Sequence, residues 1–422
     1  MIILDRKQLA DGIFFSRITD GRYKTNRISV SFFTDFDEAR RADYAILPYI
    51  LTDSCRKYPN LTRLTERFSD LYGASISDNL SCSFNKRQIT FRISCIDDRY
   101  TINGEKLEQD CCQLLLDCIL DPVTENGVFP EKTVDIMRQE LIDAIESVKG
   151  DKRMYAAQLG AMAAFPGEPA GYPVNGTAEQ AQAVTAQSAW EAYRSMLEHS
   201  RIEIIAAGRS DFTAAEKLLA ERLGGLRRSG ICVPAPSPSA LKEDVFRSEE
   251  RVEVQQAILR MYFKAPKLQD RYAASVLSMI LGGMTTSRFF ENIREKQSLC
   301  YYCSCYSNRF YKTLTVYAGV ESGNLAKTER AVMKEFMNIC MMGVTDEELE
   351  HAKLEIEEST RAVYDSASGL SGWYLSQITD ERMMTPEEYS AEIRAVDSKR
   401  VMEACRQYSL DTVYTLMPEE VQ

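Results

Sequence analysis

Histidine is nearly absent: His199 and His351 are the only two in 422 residues. A pair of zinc-binding histidines at close helical spacing is therefore excluded. His199 follows a helical pattern from Trp190 to Leu197 and reads as part of a helix end. His351 lies in the charged run DEELEHAKLEIEE and reads as a solvated face. Positive charge is also in deficit, with Lys+Arg 51 against Asp+Glu 62 and a net charge of −11. A general nucleic-acid binder needs a basic surface for phosphate, which argues against that class but leaves room for a local basic patch in a cavity. No uncharged apolar run approaches the ~18 residues of a membrane span, so no contact with a membrane is expected. The opening MIILDRKQLADGIFFSRI has no basic segment followed by a long apolar core, so a signal peptide is not expected. The expected compartment is the cytoplasm, where the twelve cysteines read as reduced, buried thiols. Cys300, Cys303 and Cys305 resemble a metal cluster in spacing, but strand alternation is expected to put Cys300 on the opposite face from the other two.

What is present is an ordinary globular balance, 45% hydrophobic and 27% charged, in a chain too long for one core. The first part alternates strand and helix signals. A hairpin is expected between Leu9 and Thr19 through Asp11-Gly12, and a strand at Arg27–Phe33. Helical periodicity covers 41–52, 61–71, 106–120 and 131–149, with a strand pair between the second and third. The segment AFPGEPAGYPVNGT is dense in Gly and Pro and reads as an irregular connection. Helical patterns then lead to the apolar strand RIEIIAAG and a further helix to Leu223. Residues 224–250, rich in Pro, Gly, Ser and charge, read as a linker.

The chain beyond the linker repeats the plan of the chain before it. RVEVQQAILRMYF takes the role of RISVSFF, and RYAASVLSMIL that of ADYAILPYIL. Tyr44 and Tyr72 are 28 residues apart, Tyr272 and Tyr301 29. The helical stretch 135–159 corresponds to 351–375. The period is about 220 residues, which means two similar domains rather than a short-repeat solenoid. The expected fold class is α+β, with homologous domains over 1–223 and 251–422, each an antiparallel-rich sheet backed by helices.

The most informative stretch is LGGMTTSRFFENIREKQSLCYY, Leu281–Tyr302. A Gly-Gly pair breaks an apolar helical run, a second helical pattern comes next, and an aromatic strand begins at Leu299. Arg294 at the helix end and Tyr301 at the strand start suit a peptide carbonyl or a charged intermediate. Gly282 and Gly283 can be read as a helix break with room for packing, or as a loop that approaches a ligand.

In order and spacing, the motifs LGGM, TTSRFF, ENIREK and LCY, with the FPGEPAGYPVNGT segment, the duplication and the linker, resemble the insulinase/pitrilysin family of zinc peptidases, the group that includes mitochondrial processing peptidase. The resemblance covers nearly the whole chain. It implies a clam-like half-shell of two domains with a zinc site in the first, carried by HxxEH and a later helix. Setting the register on Lys57-Tyr58-Pro59 puts Ala45, Pro48 and Tyr49 at the motif positions, with Glu140 matching the later ligand helix. No metal ligand set survives, so no cofactor is expected in this chain. The resemblance also implies that Arg294 and Tyr301 hold the substrate backbone and stabilise an oxyanion, and that Gly282, Gly283 and Met284 line the substrate cavity. The expected role is the non-zinc subunit of a two-chain peptidase acting on peptides, with zinc held by a homologous HxxEH-bearing partner and little activity alone. The alternative is an inactive scaffold or peptide-binding protein, as a homodimer.

Overall fold

In a computed structural model, residues 3–419 are described and form two compact units. The first comprises residues up to Ser147, Pro173–Ala235 and Val363–Met383; the second comprises Val148–Tyr172, Pro236–Ala362 and the residues from Met384 onward. Each unit thus includes one segment from the other half of the sequence.

The first unit holds strands β1 (Ile3–Ala10), β2 (Ile13–Thr19), β3 (Thr25–Thr34), β4 (Ser75–Ser83), β5 (Lys86–Ile96) and β6 (Arg201–Gly208) in the order β1-β2-β6-β3-β5-β4. The expected hairpin turns at Asp11-Gly12, where Gly12 adopts φ +64°. Only β2 and β6 run parallel. Alternation along β3 and β5 sends Ile28, Val30, Phe32, Ile89, Phe91 and Ile93 into one core. Helices Leu107–Leu120, Glu131–Ser147 and Ala186–His199 supply its other wall. On the opposite face, Ile18, Ile205 and Ala207 are covered by Ala367, Leu370 and Tyr374 of the helix Ala367–Leu375. Glu203 is fully buried on β6 and is held by both Arg6 and Arg201.

The second unit repeats this plan with β7 (Phe246–Val252), β8 (Ala257–Lys264), β9 (Cys300–Asn308), β10 (Thr313–Val320) and β11 (Ser409–Pro418) in the order β7-β11-β8-β10-β9. Matched strand for strand, this is β2-β6-β3-β5-β4, and again a single pair, β7 with β11, runs parallel. One face packs Leu259, Met261, Phe263, Leu314 and Val316 against helices that include Arg271–Ser278, Leu325–Met342 and Ser398–Gln407. On the other, helix Lys152–Ala164 seats Ala156 against Ile258, Tyr414 and Leu416. Its Gly160 is where β8 comes closest: a Cβ there would stand 2.7 Å from the Tyr262 hydroxyl.

The long helical stretches expected at 135–159 and 351–375 each divide in two. Asp151 and Ser366 start new helices as N-caps, accepting hydrogen bonds from Arg153 and Met154 N–H, and from Gly369 N–H. Each break coincides with the point where the chain leaves one unit for the other.

At its far end, helix Lys152–Ala164 terminates on buried cations. Lys264 and Lys242 donate to the Ala164 carbonyl at 2.7 and 3.0 Å, and both pair with Asp411, at 3.2 and 2.8 Å. Ammonium groups are favoured at a helix C-terminus. Burial would raise the Asp411 carboxyl, but the Lys242 ammonium and backbone N–H, Thr412 and Lys264 outweigh it and hold the group below its ordinary 3.8. Its contribution to stability is therefore complete above that ordinary value and is lost as pH falls through the lower folded value. Asp411→Asn leaves two lysines without their counter-charge; it should cost about 3–5 kcal/mol in urea unfolding and flatten the acid limb of the stability–pH curve.

Candidate functional site

The Arg294–Tyr301 element is built by two irregularities. After the helix Arg271–Ser278 the chain widens into a turn over Met279–Gly283, ending in non-helical backbone at Gly282. Glycine is required at 282 because a Cβ would lie 2.6 Å from the Cys305 amide nitrogen and 2.8 Å from the Phe289 ring. Gly282 is buried, so its observed contact is with β9; Gly283 is exposed, and Met284 packs partly against the core.

The helix Phe289–Glu295 is also wide, with Lys296 N–H donating to the Glu291 carbonyl five residues back. It stops through crossed hydrogen bonds, Ser298 N–H to Arg294 O and Leu299 N–H to Ile293 O. This pattern calls for a left-handed residue, and Ser298 supplies it at φ +50°. β9 then begins with a bulge. Cys300 pairs with Val320 and Tyr302 with Gly319, which leaves Tyr301 as the extra residue. A bulge re-aims a side chain, and Tyr301 stands half exposed.

The result is a cleft of about 350 Å³ lined by Arg294, Ser298, Tyr301, Glu321 and Asn324, among others. The two residues singled out from the sequence do come together here. The Arg294 guanidinium lies 4.4 Å over the Phe290 ring and 3.7 Å from the Glu295 carboxylate, a loose pair that leaves its outer edge accessible. The Tyr301 hydroxyl donates to Glu321 at 3.2 Å, and this carboxylate raises the phenol above its ordinary 10.0. A phenol has one proton to donate. Tyr301 can therefore serve an incoming oxyanion only by exchanging Glu321 for it. Glu321 and Asn324 are the site residues that the sequence did not indicate, because they lie just past the end of β10, some twenty residues on. Only the pairing of β10 with β9 brings them to Tyr301.

The bulge also corrects the expected placement of the cysteines. With Tyr301 squeezed out, Cys300 falls on the same face as Cys303 and Cys305, and all three are buried in the core. Among the described residues, no group of three Cys, His, Asp or Glu side chains is placed to hold a metal ion.

The corresponding stretch of the first unit is built differently. Ala45 ends the helix Arg41–Ala45, and Pro48 stands in the first turn of Leu47–Asp53, where its missing N–H interrupts what would be one helix. Tyr49 is half buried, and its phenol is raised by burial and by the negative charges of Asp78 and Glu140. Tyr49 thus lies within electrostatic reach of the Glu140 carboxylate on the helix Glu131–Ser147. Zinc needs three protein ligands; an alanine, a proline and a tyrosine with one exposed glutamate do not fit it. His199 ends its helix, with Nδ1 2.6 Å from the Ser229 carbonyl, and His351 is exposed.

Two sheets of one plan, each backed by helices, are thus joined in one chain, with an arginine–tyrosine cleft beside the second. Residues 183–356 match the family described as "Peptidase M16 inactive domain". The chain is 24% identical over 384 residues, covering 89% of each, to the "Probable inactive metalloprotease YmfF" of Bacillus subtilis. It is 28% identical over 259 residues, 58% of this chain, to an uncharacterized zinc protease of Streptomyces coelicolor. Among solved structures, a conserved protein from Enterococcus faecalis superposes with a TM-score of 0.91 at 24% identity, covering 99% of each chain. A peptidase M16 inactive domain from Pseudomonas fluorescens has the same fold, with a TM-score of 0.81 at 14% identity and 99% coverage of each chain. Residues 183–356 are thus similar to inactive-type members of the insulinase/pitrilysin (M16) family, and no HxxEH occurs in the sequence. Among the described residues, no helix is long and apolar enough to cross a membrane.

Two measurements test the site's construction. Glu321→Gln removes the charge that opposes phenolate formation, so the Tyr301 pKa should fall toward its ordinary value in ¹³Cζ-tyrosine NMR, with Tyr301→Phe identifying the resonance. Ser298→Gly should raise stability by about 1 kcal/mol in thermal unfolding, because it relieves a left-handed non-glycine residue.

Proposed function

We propose that this chain is the non-zinc subunit of a two-chain peptidase. A homologous partner that carries HxxEH supplies the zinc and its activated water; this chain supplies Arg294, Tyr301 and the Gly282–Met284 loop. The observation that carries the reading is the asymmetry between the halves. Every metal ligand but Glu140 is gone from the first unit, while Arg294 and Tyr301 share an open cleft in the second.

In this reading a peptide binds extended. β9 is an edge strand, and its free N–H and C=O groups are suited to pairing with a peptide backbone. Arg294 holds the scissile carbonyl or its neighbour. As the carbonyl oxygen gains charge, the guanidinium and the Tyr301 hydroxyl, released from Glu321, stabilise it. Gly282 acts indirectly, by letting the loop press against β9, while Gly283 and Met284 face the substrate. The proposed compartment is the cytoplasm, where twelve unbridged thiols stay reduced.

The second reading is a peptide-binding scaffold, as a homodimer. It is favoured by one observation: Arg294 and Tyr301 already have partners, in Phe290 and Glu321, without any ligand. Kinetics separates the two. Mixed with an HxxEH-bearing homologue, Arg294→Ala should lower kcat by about 10²–10³, the effect typical of losing an oxyanion donor, with a smaller change in KM. Unchanged hydrolysis, or no complex between the chains, would favour the scaffold.

A further inference from the structure

A second hollow lies at Tyr302 of β9. It has a volume of about 590 Å³ and is lined by Lys152, Arg153, Glu253, Gln255, Gln256 and Tyr302, among others, all within the second unit. Tyr302 is next to Tyr301 in sequence, but the bulge turns the two side chains into different surroundings. Tyr301 goes to the arginine cleft, and Tyr302 goes to the sheet face on which helix Lys152–Ala164 lies.

The chemistry of this hollow is unlike that of the cleft. The Arg153 guanidinium stacks 4.5 Å over the Tyr302 ring, which fixes the plane of its fork of N–H donors. Lys152 stands beside it. Among the described residues, neither cation has a carboxylate within ion-pair distance, although this acidic chain has Asp+Glu 62 to offer. The nearest anion in sequence, Asp151, is engaged by the N–H groups of Arg153 and Met154. Gln255 and Gln256 add neutral amide donors. Glu253 is the single anion in the lining, so the two cations leave the hollow with one net positive charge.

A fixed guanidinium, a free ammonium and two amides around one concavity are complementary to a carboxylate. We propose that this hollow is a subsite for an acidic side chain of an extended peptide whose backbone runs along β9. Arg153 and Lys152 bind the carboxylate, and Glu253 moderates their affinity. The proposal rests on the peptide-binding part of the function above and needs no zinc-bearing partner.

The test uses the isolated full chain at low salt, where exposed charges are least screened. Fluorescence anisotropy compares two labelled twelve-residue peptides, both blocked at their ends, that differ only in a central Glu-Glu or Gln-Gln. The Glu peptide should bind about tenfold more tightly, one charge-assisted contact's worth. Lys152→Gln with Arg153→Gln should abolish that preference, and Glu253→Gln should increase it. All three side chains sit at the surface, and unchanged thermal unfolding checks that the variants fold. Equal binding of the two peptides, a preference that survives in the Lys152/Arg153 variant, or no binding of either overturns the proposal. A gain seen only when the Gln peptide has a free C-terminus overturns the side-chain assignment in favour of a terminal carboxylate. Arg294-dependent hydrolysis in the partner mixture is scored separately; its survival beside a lost Glu preference removes the subsite and leaves the catalytic reading in place.

Discussion

Much of the second unit depends on how the end of one helix is held. Lys264, almost fully buried, would be a severe cost without Asp411 and the carbonyls it reaches. Desolvation lowers its affinity for a proton, and the Asp411 charge opposes that loss. The arrangement works because three needs are met together: the lysines need acceptors, Asp411 needs cations, and helix Lys152–Ala164 needs a partner for its last carbonyl. With that end pinned to β8 and β11, the helix extends about 20 Å along the sheet face and delivers Arg153 to Tyr302 at the other end. A segment contributed from the first half of the sequence is thereby fixed as part of the second unit's surface.

The Arg294–Tyr301 cleft depends on local strain of a different kind. Ser298 takes a conformation that glycine would adopt at less cost, and β9 carries an extra residue at its start. Both distortions serve one result, an exposed phenol beside an accessible guanidinium. Strained backbone and bulges concentrate where side chains must be aimed. The equivalent stretch of the first unit is aimed at nothing comparable: Pro48 interrupts the helix, and Tyr49 fills the space toward Glu140. Of the two copies of one plan, the second presents a polar cleft here and the first a pair of short packed helices.

Most of the local structure was legible from residue pattern. The Asp11-Gly12 hairpin, the β3 strand and the helices from Leu61 to Leu120 arise from turn chemistry and apolar periodicity, which act over a few residues. The breaks at 148–151 and 363–366 were visible in principle, since Gly150-Asp151 and Asp365-Ser366 are ordinary helix punctuation. Strong apolar spacing on either side concealed them. The cysteine placement failed for a sharper reason: strand alternation assumes unbroken pairing, and one bulged residue inverts every face assignment before it. Glu321 carried no local signal at all, because its role comes from the pairing of β10 beside β9.

By itself the sequence determined two things. It excluded a paired-histidine zinc site of the HxxEH kind, since only two histidines exist and they lie far apart in the chain, and it revealed two copies of one plan, since a repeated order of apolar periods survives divergence. Tertiary structure decided the rest. Which segment completes which sheet, which way Tyr301 points, what its proton is bound to and which cations lie unpaired near Tyr302 all depend on strand pairing and helix seating. Those are contacts between residues far apart in the chain, and no local pattern encodes them.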